Sequence, residues 1–462
     1  MAETNRVVVI GGGISGLTCA YRLKRQGVDV VLLESSDHAG GLIGSLSRDG
    51  FLFERGPQSF QGTSTLFDLV RELELKSELL EANPSAPRYV LRGRRLHKIP
   101  MSPQALVGSS LLGLSSRWKI VSEPFRRTSP PGNEESVAEF VRRKFGHEIL
   151  EYLVSPFVSG VYAGDPERLS LRAAFPTLEE WERQFGSVIR GATKSRPANS
   201  ERKKAPPLCS FRRGISTLTD ALARDLGVSL RTGVRVERLN KVDGDAPSFE
   251  IGLAENGQNA VIDAAAVVFA TPAYVSAHLV ASVAPQIAQL LSGIPYAPVA
   301  VTAAGYYSKQ FRHPPEGFGF LIPRKEKMRT LGTVWNSALF PGRAPDGCVL
   351  MTSFAGGATD PELLQRPVSE ITAIANSDNQ KILEIIGEPI ASEGWKYEKA
   401  LPQYNLGHGH IIERVREAAA PLPGIFFCGN YLEGPSIGKC VEQALRTADY
   451  VRERVASRAP GH

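Results

Sequence analysis

The sequence predicts an α/β fold in which one parallel-sheet domain is interrupted and later resumed, and three observations carry that prediction. A glycine-punctuated strand, turn, helix and second strand open the chain. Short apolar segments of buried-strand character recur near residues 267 and 425. An amphipathic helix follows the second of these, with Val441, Ala444, Leu445, Ala448, Val451 and Val455 on one face.

The opening unit runs from Val7-Val8-Val9-Ile10 through Gly11-Gly12-Gly13-Ile14-Ser15-Gly16 to Val28–Glu34, with a helix predicted from Ser15 to Gln26. This is the pattern of a Rossmann-type dinucleotide site. Gly11 permits the turn, Gly13 permits close approach of a pyrophosphate, and Gly16 lets the helix lie on the sheet. The helix N-terminus turns its partial positive charge to the diphosphate. Glu34, 23 residues after Gly11, stands where an acid accepts hydrogen bonds from ribose hydroxyls and repels a 2′-phosphate, which disfavours NADP. The glycines do not separate NAD from FAD. The stretch His38-Ala39-Gly40-Gly41-Leu42 is similar to the arginine-x-glycine-glycine continuation of many flavoproteins, with histidine in the arginine's place, and tilts the reading to FAD. Glu54-Arg55-Gly56-Pro57-Gln58-Ser59 supplies a further tight backbone approach.

Later segments return to the same domain. Val228–Leu239 alternates apolar and polar residues and is predicted as one half-buried strand, which Phe249–Leu253 continues into a small meander. Val267–Thr271 reads as a strand entering a turn at Pro272, and Ile425–Asn430 as a short buried strand. A helix from about Lys439 to Ala456 offers a second dipole to the negative charge of a reduced flavin. The predicted division gives residues 1–85, 206–285 and 420–462 to an FAD-binding domain, 86–100 and 286–419 to a mixed α+β substrate domain, and 101–205 to a helical insertion. The candidate cofactor contacts are Gly11, Gly12, Gly13, Ile14, Ser15, Gly16, Glu34, Ser35, Gly41, Leu42, Gly56, Pro57, Gln58, Ser59, Val236, Gly429, Asn430, Ser436, Ile437 and Gly438.

A chain of 462 residues, 42% hydrophobic and 22% charged, has ample core for two or three domains. Its five cysteines show no CxxC spacing and its histidines no HExxH pattern, so neither a disulfide framework nor a metal site is expected. Cys440 reads as a buried packing residue, and FAD is expected to be held non-covalently. The net charge of +6 is uneven: Ala86–Arg127 carries nine Lys/Arg against one acid, and Arg190–Arg213 eight against one. Such segments meet anions or form solvated loops; without a zinc-finger or RNP-like pattern, nucleic acid is not the expected partner. Gln104–Leu114, small and apolar between Lys98 and Arg117-Trp118-Lys119, fits either the headgroup region of a membrane or a buried helix pair. No transmembrane helix and no leader are read. The expected location is the cytoplasm, with peripheral contact to the inner face of the cytoplasmic membrane, and a homodimer, left open.

Five ordered blocks carry a resemblance: Val161-Tyr162-Ala163-Gly164-Asp165-Pro166-Glu167-Arg168-Leu169-Ser170, Gly317-Phe318-Gly319-Phe320-Leu321-Ile322-Pro323, Phe340-Pro341-Gly342-Arg343-Ala344-Pro345, Leu401-Pro402-Gln403-Tyr404-Asn405-Leu406-Gly407-His408, and Gly429-Asn430-Tyr431 with Gly438-Lys439-Cys440-Val441-Glu442. Together they resemble the oxygen-dependent protoporphyrinogen oxidases over nearly the whole chain. The resemblance implies an FAD enzyme that removes six electrons from protoporphyrinogen IX in three two-electron turns, with O2 as acceptor and hydrogen peroxide released. It implies a propionate anchor at Arg88, ring contacts from Leu321, Val334 and Phe354, and a close backbone approach to the ring at Gly164. Val334 is smaller than the leucine often found there, which implies a roomier pocket. The flavin carries the chemistry, and no acid or base is assigned. Oxidation of coproporphyrinogen III, which has four propionates, is the nearest competing function; a flavin amine oxidase and a non-catalytic flavin-binding protein are the others.

Overall fold

The computed structural model describes residues 5–100, 103–126, 128–195, 206–242 and 248–456. The Arg196–Lys204 part of the basic stretch lies outside them. Five short strands form a wholly parallel sheet in the order Leu230–Arg231, Val30–Leu33, Val7–Ile10, Ala266–Phe269, Ile425–Phe427. Strands buried on both faces read as apolar runs rather than alternations, and VVVI, VVLL and AVVF do so here. The helices Ile14–Arg25, Ser216–Leu226 and Ile437–Ala456 cover one face. The other face packs against a three-stranded meander, Val234–Val242, Ser248–Glu255 and Gln258–Ala264. Strand order reverses between Val7–Ile10 and Ala266–Phe269, and ligands of such sheets bind in the crevice beyond the strand ends at that point.

The helix predicted at Ser15–Gln26 is Ile14–Arg25, and the later one begins at Ile437 rather than Lys439. The single strand predicted over Val228–Leu239 is wrong. Val228 is 98% exposed in a 3-10 turn, Leu230–Arg231 joins the parallel sheet, and only Val234–Val242 enters the meander. Gly233, with φ +69°, breaks the run: its left-handed turn sends one alternating stretch into two different sheets.

A seven-stranded sheet forms the second body, in the order Ala391–Pro402, Tyr296–Tyr307, Cys348–Gly356, Thr330–Val334, Gly319–Leu321, Arg88–Arg92, Arg95–Lys98. Only the Gly319–Leu321 and Arg88–Arg92 pair is parallel. Between its first and later strands lie the helices Pro103–Gly108, Leu114–Ser122, Val137–Lys144, the run His147–Tyr162, Pro176–Phe185 and Val188–Lys194. The run His147–Tyr162 opens into a π turn over Leu150–Val154, where Pro156 cannot donate into the preceding turn. Gln104–Leu114 divides: Leu111 and Leu112 are buried, and the exposed apolar residues lie further on, at Leu114, Trp118, Val121 and Phe125.

Candidate active site

The glycine turn sits at the reversal point of the parallel sheet. Gly11 has φ +108°, and a Cβ there would lie 2.9 Å from the Ala270 backbone at the end of the neighbouring strand. A Cβ on Gly16 would lie 1.9 Å from the Gly11 carbonyl oxygen, so this glycine is demanded by helix–sheet contact. Gly13 differs. Its φ of −72° suits any residue, and a Cβ there would meet nothing within 4 Å. The space at Gly13 is open; the Ile14 N–H is turned to the Gly40 carbonyl by the bridge between Gly13 and Gly40, while the N–H groups of Gly13, Ser15 and Gly16 have no protein acceptor among the described residues. That is the donor set a diphosphate requires.

Glu34 is held by both oxygens. Its Oε2 accepts from the Gly12 N–H at 2.6 Å, and its Oε1 from the Ser36 N–H at 2.7 Å and the Ser35 hydroxyl at 3.3 Å. Each oxygen keeps lone-pair capacity for a ribose hydroxyl. The Val234 N–H donates to the Glu34 carbonyl at 2.9 Å, so Val236, two residues along the same edge strand, turns its backbone groups to the same side. Gly41, with φ +61°, lies against Gly13, and Gly40 donates to the Gly12 carbonyl at 2.8 Å. A Cβ on Gly56 would lie 2.2 Å from the Leu42 carbonyl oxygen, which locks Gly41-Leu42 to Gly56-Pro57.

Gln58 is engaged within the protein. Its Nε2 donates to the Gly56 carbonyl at 2.7 Å, and its Oε1 accepts from Asn336 Nδ2 at 2.6 Å. The side chain therefore ties the 54–59 loop to the second sheet, leaving Ser59 and the loop backbone as the groups that could meet a cofactor. Tyr397 makes a parallel tie, its hydroxyl donating to the Arg55 carbonyl at 3.0 Å. Beneath the loop, Glu54 and Arg343 are fully buried with 3.6 Å between them. Arg343 also donates to Ser210 Oγ at 2.7 Å and the Phe211 carbonyl at 3.0 Å, while Glu54 accepts from the Ile215 N–H at 2.9 Å. Burial outweighs these partners and raises the Glu54 carboxyl to about 7; it also lowers the guanidinium.

On the far side, Gly429 donates to Gln443 Oε1 at 2.9 Å, fastening its turn to the closing helix. Ser436 caps that helix, its Oγ accepting from the Lys439 N–H at 3.3 Å and its carbonyl from the Cys440 N–H at 3.0 Å. The N–H groups of Ile437 and Gly438 keep no protein acceptor. Asn430 is half-buried, and its N–H and carboxamide are likewise unpartnered. Unsatisfied donors thus converge from both helix N-termini and this turn, an arrangement that fits an FAD. Cys440 is buried and burial pushes its thiol up to about 11, far from a reactive thiolate.

The second sheet gathers the four other candidates on one face. Its register aligns Val90, Leu321, Gly332, Phe354, Val301 and Trp395 in one row, and Arg88, Gly319 and Val334 in the next row of the same orientation. Leu321, Val334 and Phe354 are half-buried, and Arg88 is exposed at the edge with its guanidinium 5.0 Å from the Phe318 ring centroid and no ion-pair partner among the described residues. Tyr397 lies on this face and reaches Arg55 in the nucleotide domain, while Val90 and Leu321 at its other end pack against the helical insertion. A Cβ on Gly319 would lie 2.0 Å from the Thr333 carbonyl oxygen and one on Gly332 2.7 Å from that of Phe320, so close strand pairing demands both glycines. Gly164 is buried beside this wall, and a Cβ there would meet Gln403 Oε1 at 2.9 Å.

Asn336, Tyr397, Glu54 and the pairs made by Gln403, Tyr404 and His408 carried no signal as site residues, because their partners are remote in sequence. Arg343, Gln403, Tyr404 and His408 do stand within the blocks that carried the resemblance. Among the described residues, no group of three or more His, Cys, Asp or Glu is placed to hold a metal ion, and no helix is long and apolar enough to cross a membrane.

Residues 14–452 match the model of the flavin containing amine oxidoreductases. The chain is 33% identical to chloroplastic protoporphyrinogen oxidase of Nicotiana tabacum, over 96% of this chain and 85% of that protein. It is 31% identical to coproporphyrinogen III oxidase of Bacillus subtilis (strain 168), over 95% and 96%. A crystal structure from Exiguobacterium sp. 255-15, provisionally described as a protoporphyrinogen oxidase, superposes with a TM-score of 0.83 at 24% identity, over 98% of this chain and 99% of that one. Cyclohexylamine oxidase from Brevibacterium oxydans IH-35A superposes with a TM-score of 0.69 at 16% identity. These two likenesses are of fold. The sequence relationship and the convergent donors place the chain in the flavin containing amine oxidoreductase family, as an FAD-dependent oxidoreductase.

Proposed function

We propose that the chain oxidises protoporphyrinogen IX to protoporphyrin IX, with O2 as acceptor and hydrogen peroxide as co-product, in tetrapyrrole biosynthesis. One observation carries the reading: the apolar, half-buried side chains of Leu321, Val334 and Phe354 share one face of the sheet with Arg88, whose guanidinium has no ion-pair partner among the described residues. An apolar macrocycle with propionates at its rim matches that pattern. Arginine suits the rim because its planar fork engages a carboxylate by two parallel hydrogen bonds.

Bound FAD supplies a hydride acceptor and a route for electrons to O2. The apolar side chains of that face position the substrate. Leu321, Val334 and Phe354 bring no ionisable group to the ring, so their part is orientation and exclusion of water rather than proton transfer. Gly13–Gly16, Glu34, Ser35, Gly41, Leu42, Gly56, Pro57, Ser59, Val236, Gly429, Asn430 and Ser436–Gly438 would hold the cofactor, without covalent attachment. Six electrons leave in three two-electron turns, and three O2 are consumed per porphyrin formed.

The test is turnover of protoporphyrinogen IX by FAD-loaded protein, followed by porphyrin fluorescence and peroxide release. Absence of both from a fully loaded preparation would overturn the reading. The likeness to the Bacillus subtilis enzyme favours one other substrate, coproporphyrinogen III. Side-by-side kcat/KM values decide between them, and preference for the four-carboxylate ring would replace the first reading.

Peripheral attachment to an anionic membrane, with the protein otherwise in the cytoplasm, is part of the same proposal. Leu114, Trp118, Val121 and Phe125 are 82%, 66%, 48% and 78% exposed; spacing of four and three places the first three on one face of the helix Leu114–Ser122, and Phe125 follows in the 3-10 turn Glu123–Phe125. Arg117, Lys119 and Arg126 flank that stripe. Co-sedimentation with phosphatidylglycerol vesicles should fall when Trp118 and Phe125 are both replaced by serine; unchanged binding would remove the stripe from the proposal.

A further inference from the structure

Residues 403–408 continue the strand Ala391–Pro402 of the second sheet and make contacts on both sides of the crevice. Toward the substrate-side turn, Gln403 Nε2 donates to the Tyr162 carbonyl at 2.9 Å, and its backbone N–H to the Pro295 carbonyl at 2.8 Å. Gln403 Oε1 is buried without a partner directly beneath Gly164. The Ser170 N–H donates to the Tyr404 carbonyl at 2.8 Å and the Leu406 N–H to the Arg168 carbonyl at 2.9 Å, while Glu134 accepts from the Gly407 N–H at 2.7 Å. Toward the nucleotide domain, the Tyr404 hydroxyl donates to the Asn430 carbonyl, and His408 Nε2 lies 2.9 Å from the Tyr431 carbonyl. A carbonyl only accepts, so Nε2 carries the proton and Nδ1 the lone pair. Both side chains are buried, with ring centroids 4.4 Å apart.

We propose that Tyr404 and His408 are positioning residues that draw two successive carbonyls of the Gly429–Tyr431 turn away from the crevice, and that Gln403 ties the same segment to the turn beside the substrate. This rests on the reading that the Gly429–Tyr431 turn borders the flavin. Because the peptide unit is planar, holding a carbonyl fixes the whole unit. A freed carbonyl could rotate and present partial negative charge to the crevice, where reduced flavin is itself electron-rich. With the two carbonyls held, the Asn430 N–H and carboxamide stay without a protein partner among the described residues and are available to a cofactor. One segment thereby fixes the flavin turn and the substrate turn against each other.

The test uses FAD-loaded protein. Tyr404→Phe and His408→Leu each remove one donor while keeping apolar bulk, and His408→Gln keeps a donor. FAD release from the donor-less variants should quicken tenfold or more, with an altered visible circular dichroism of the bound flavin. His408→Gln should stay within twofold of the parent. Donor-less variants that fold and release FAD at the parent rate, with an unchanged flavin spectrum, would overturn the brace. Equal acceleration in His408→Gln and His408→Leu would assign His408 to packing alone and overturn its positioning role. A parent protein that binds no FAD would instead sink the flavin reading itself, so the two failures are distinct. If one donor-less variant does not fold, the other decides.

Discussion

His408→Gln offers a quantitative check on the buried imidazole. Burial lowers its pKa from 6.5 to about 4, against the opposing pull of the Tyr431 carbonyl and the Glu134 charge. Between those values the unfolded chain holds a proton that the fold rejects. Stability from this site is therefore complete above pH 6.5 and declines as pH falls toward about 4. Linkage between these two pKa values gives a loss of ~2 kcal/mol on going from about pH 7.5 to about pH 5. Glutamine can donate to the same carbonyl and cannot titrate. Urea unfolding of parent and variant at the two pH values should show the parent losing about 2 kcal/mol more than the variant. The comparison cancels Glu54, whose carboxyl, raised to about 7, acts with the opposite sign: the fold keeps a proton the unfolded chain gives up, so stability from that site grows as pH falls through about 7 toward 4.5. Parallel losses in the two proteins would refute a buried neutral imidazole.

Three further outcomes are expected. Gly13→Val should fold normally, since φ −72° and empty space tolerate a side chain, yet be purified without flavin; a flavin-replete variant would remove Gly13 from the cradle. Arg88→Ala should raise KM by an amount equivalent to roughly 1.5–3 kcal/mol while FAD content stays constant, and an unchanged KM would dismiss the propionate anchor. Gly164→Ala should lower the thermal midpoint through its contact with Gln403, and should cost less when introduced into Gln403→Ala than into the parent; an equal cost in both backgrounds would dismiss that contact as the reason for glycine.

The parts legible in the sequence are those whose geometry is local. A glycine that must turn, a helix that must lie on a strand and an acid at the end of the next strand all fall within the first 34 residues. Alternation over Val228–Leu239 misled because the period of apolar residues cannot register the left-handed turn at Gly233. The substrate face is a matter of register among strands from distant parts of the chain. Leu321, Val334 and Phe354 could be named only through the resemblance, and composition would have placed all three in the core. The roles of Gln403, Tyr404 and Gln58 were beyond reach for the same reason: each depends on a carbonyl or amide outside its own local segment, 26 residues away for Tyr404, 241 for Gln403 and 278 for Gln58.

The interrupted parallel sheet also governs when the enzyme can load its cofactor. Ile425–Phe427 pairs directly with Ala266–Phe269, beside the first strand, although about four hundred residues separate it from the glycine turn. During translation the Gly11–Gly16 turn is therefore made early and the strand Ile425–Phe427 with the closing helix Ile437–Ala456 late, with the whole substrate domain synthesised in between. A nascent chain halted before residue 425 would expose one flank of its half-built sheet and would grip flavin weakly at most, so capture of the coenzyme becomes a final event of assembly, coupled to closure of the last long-range contact.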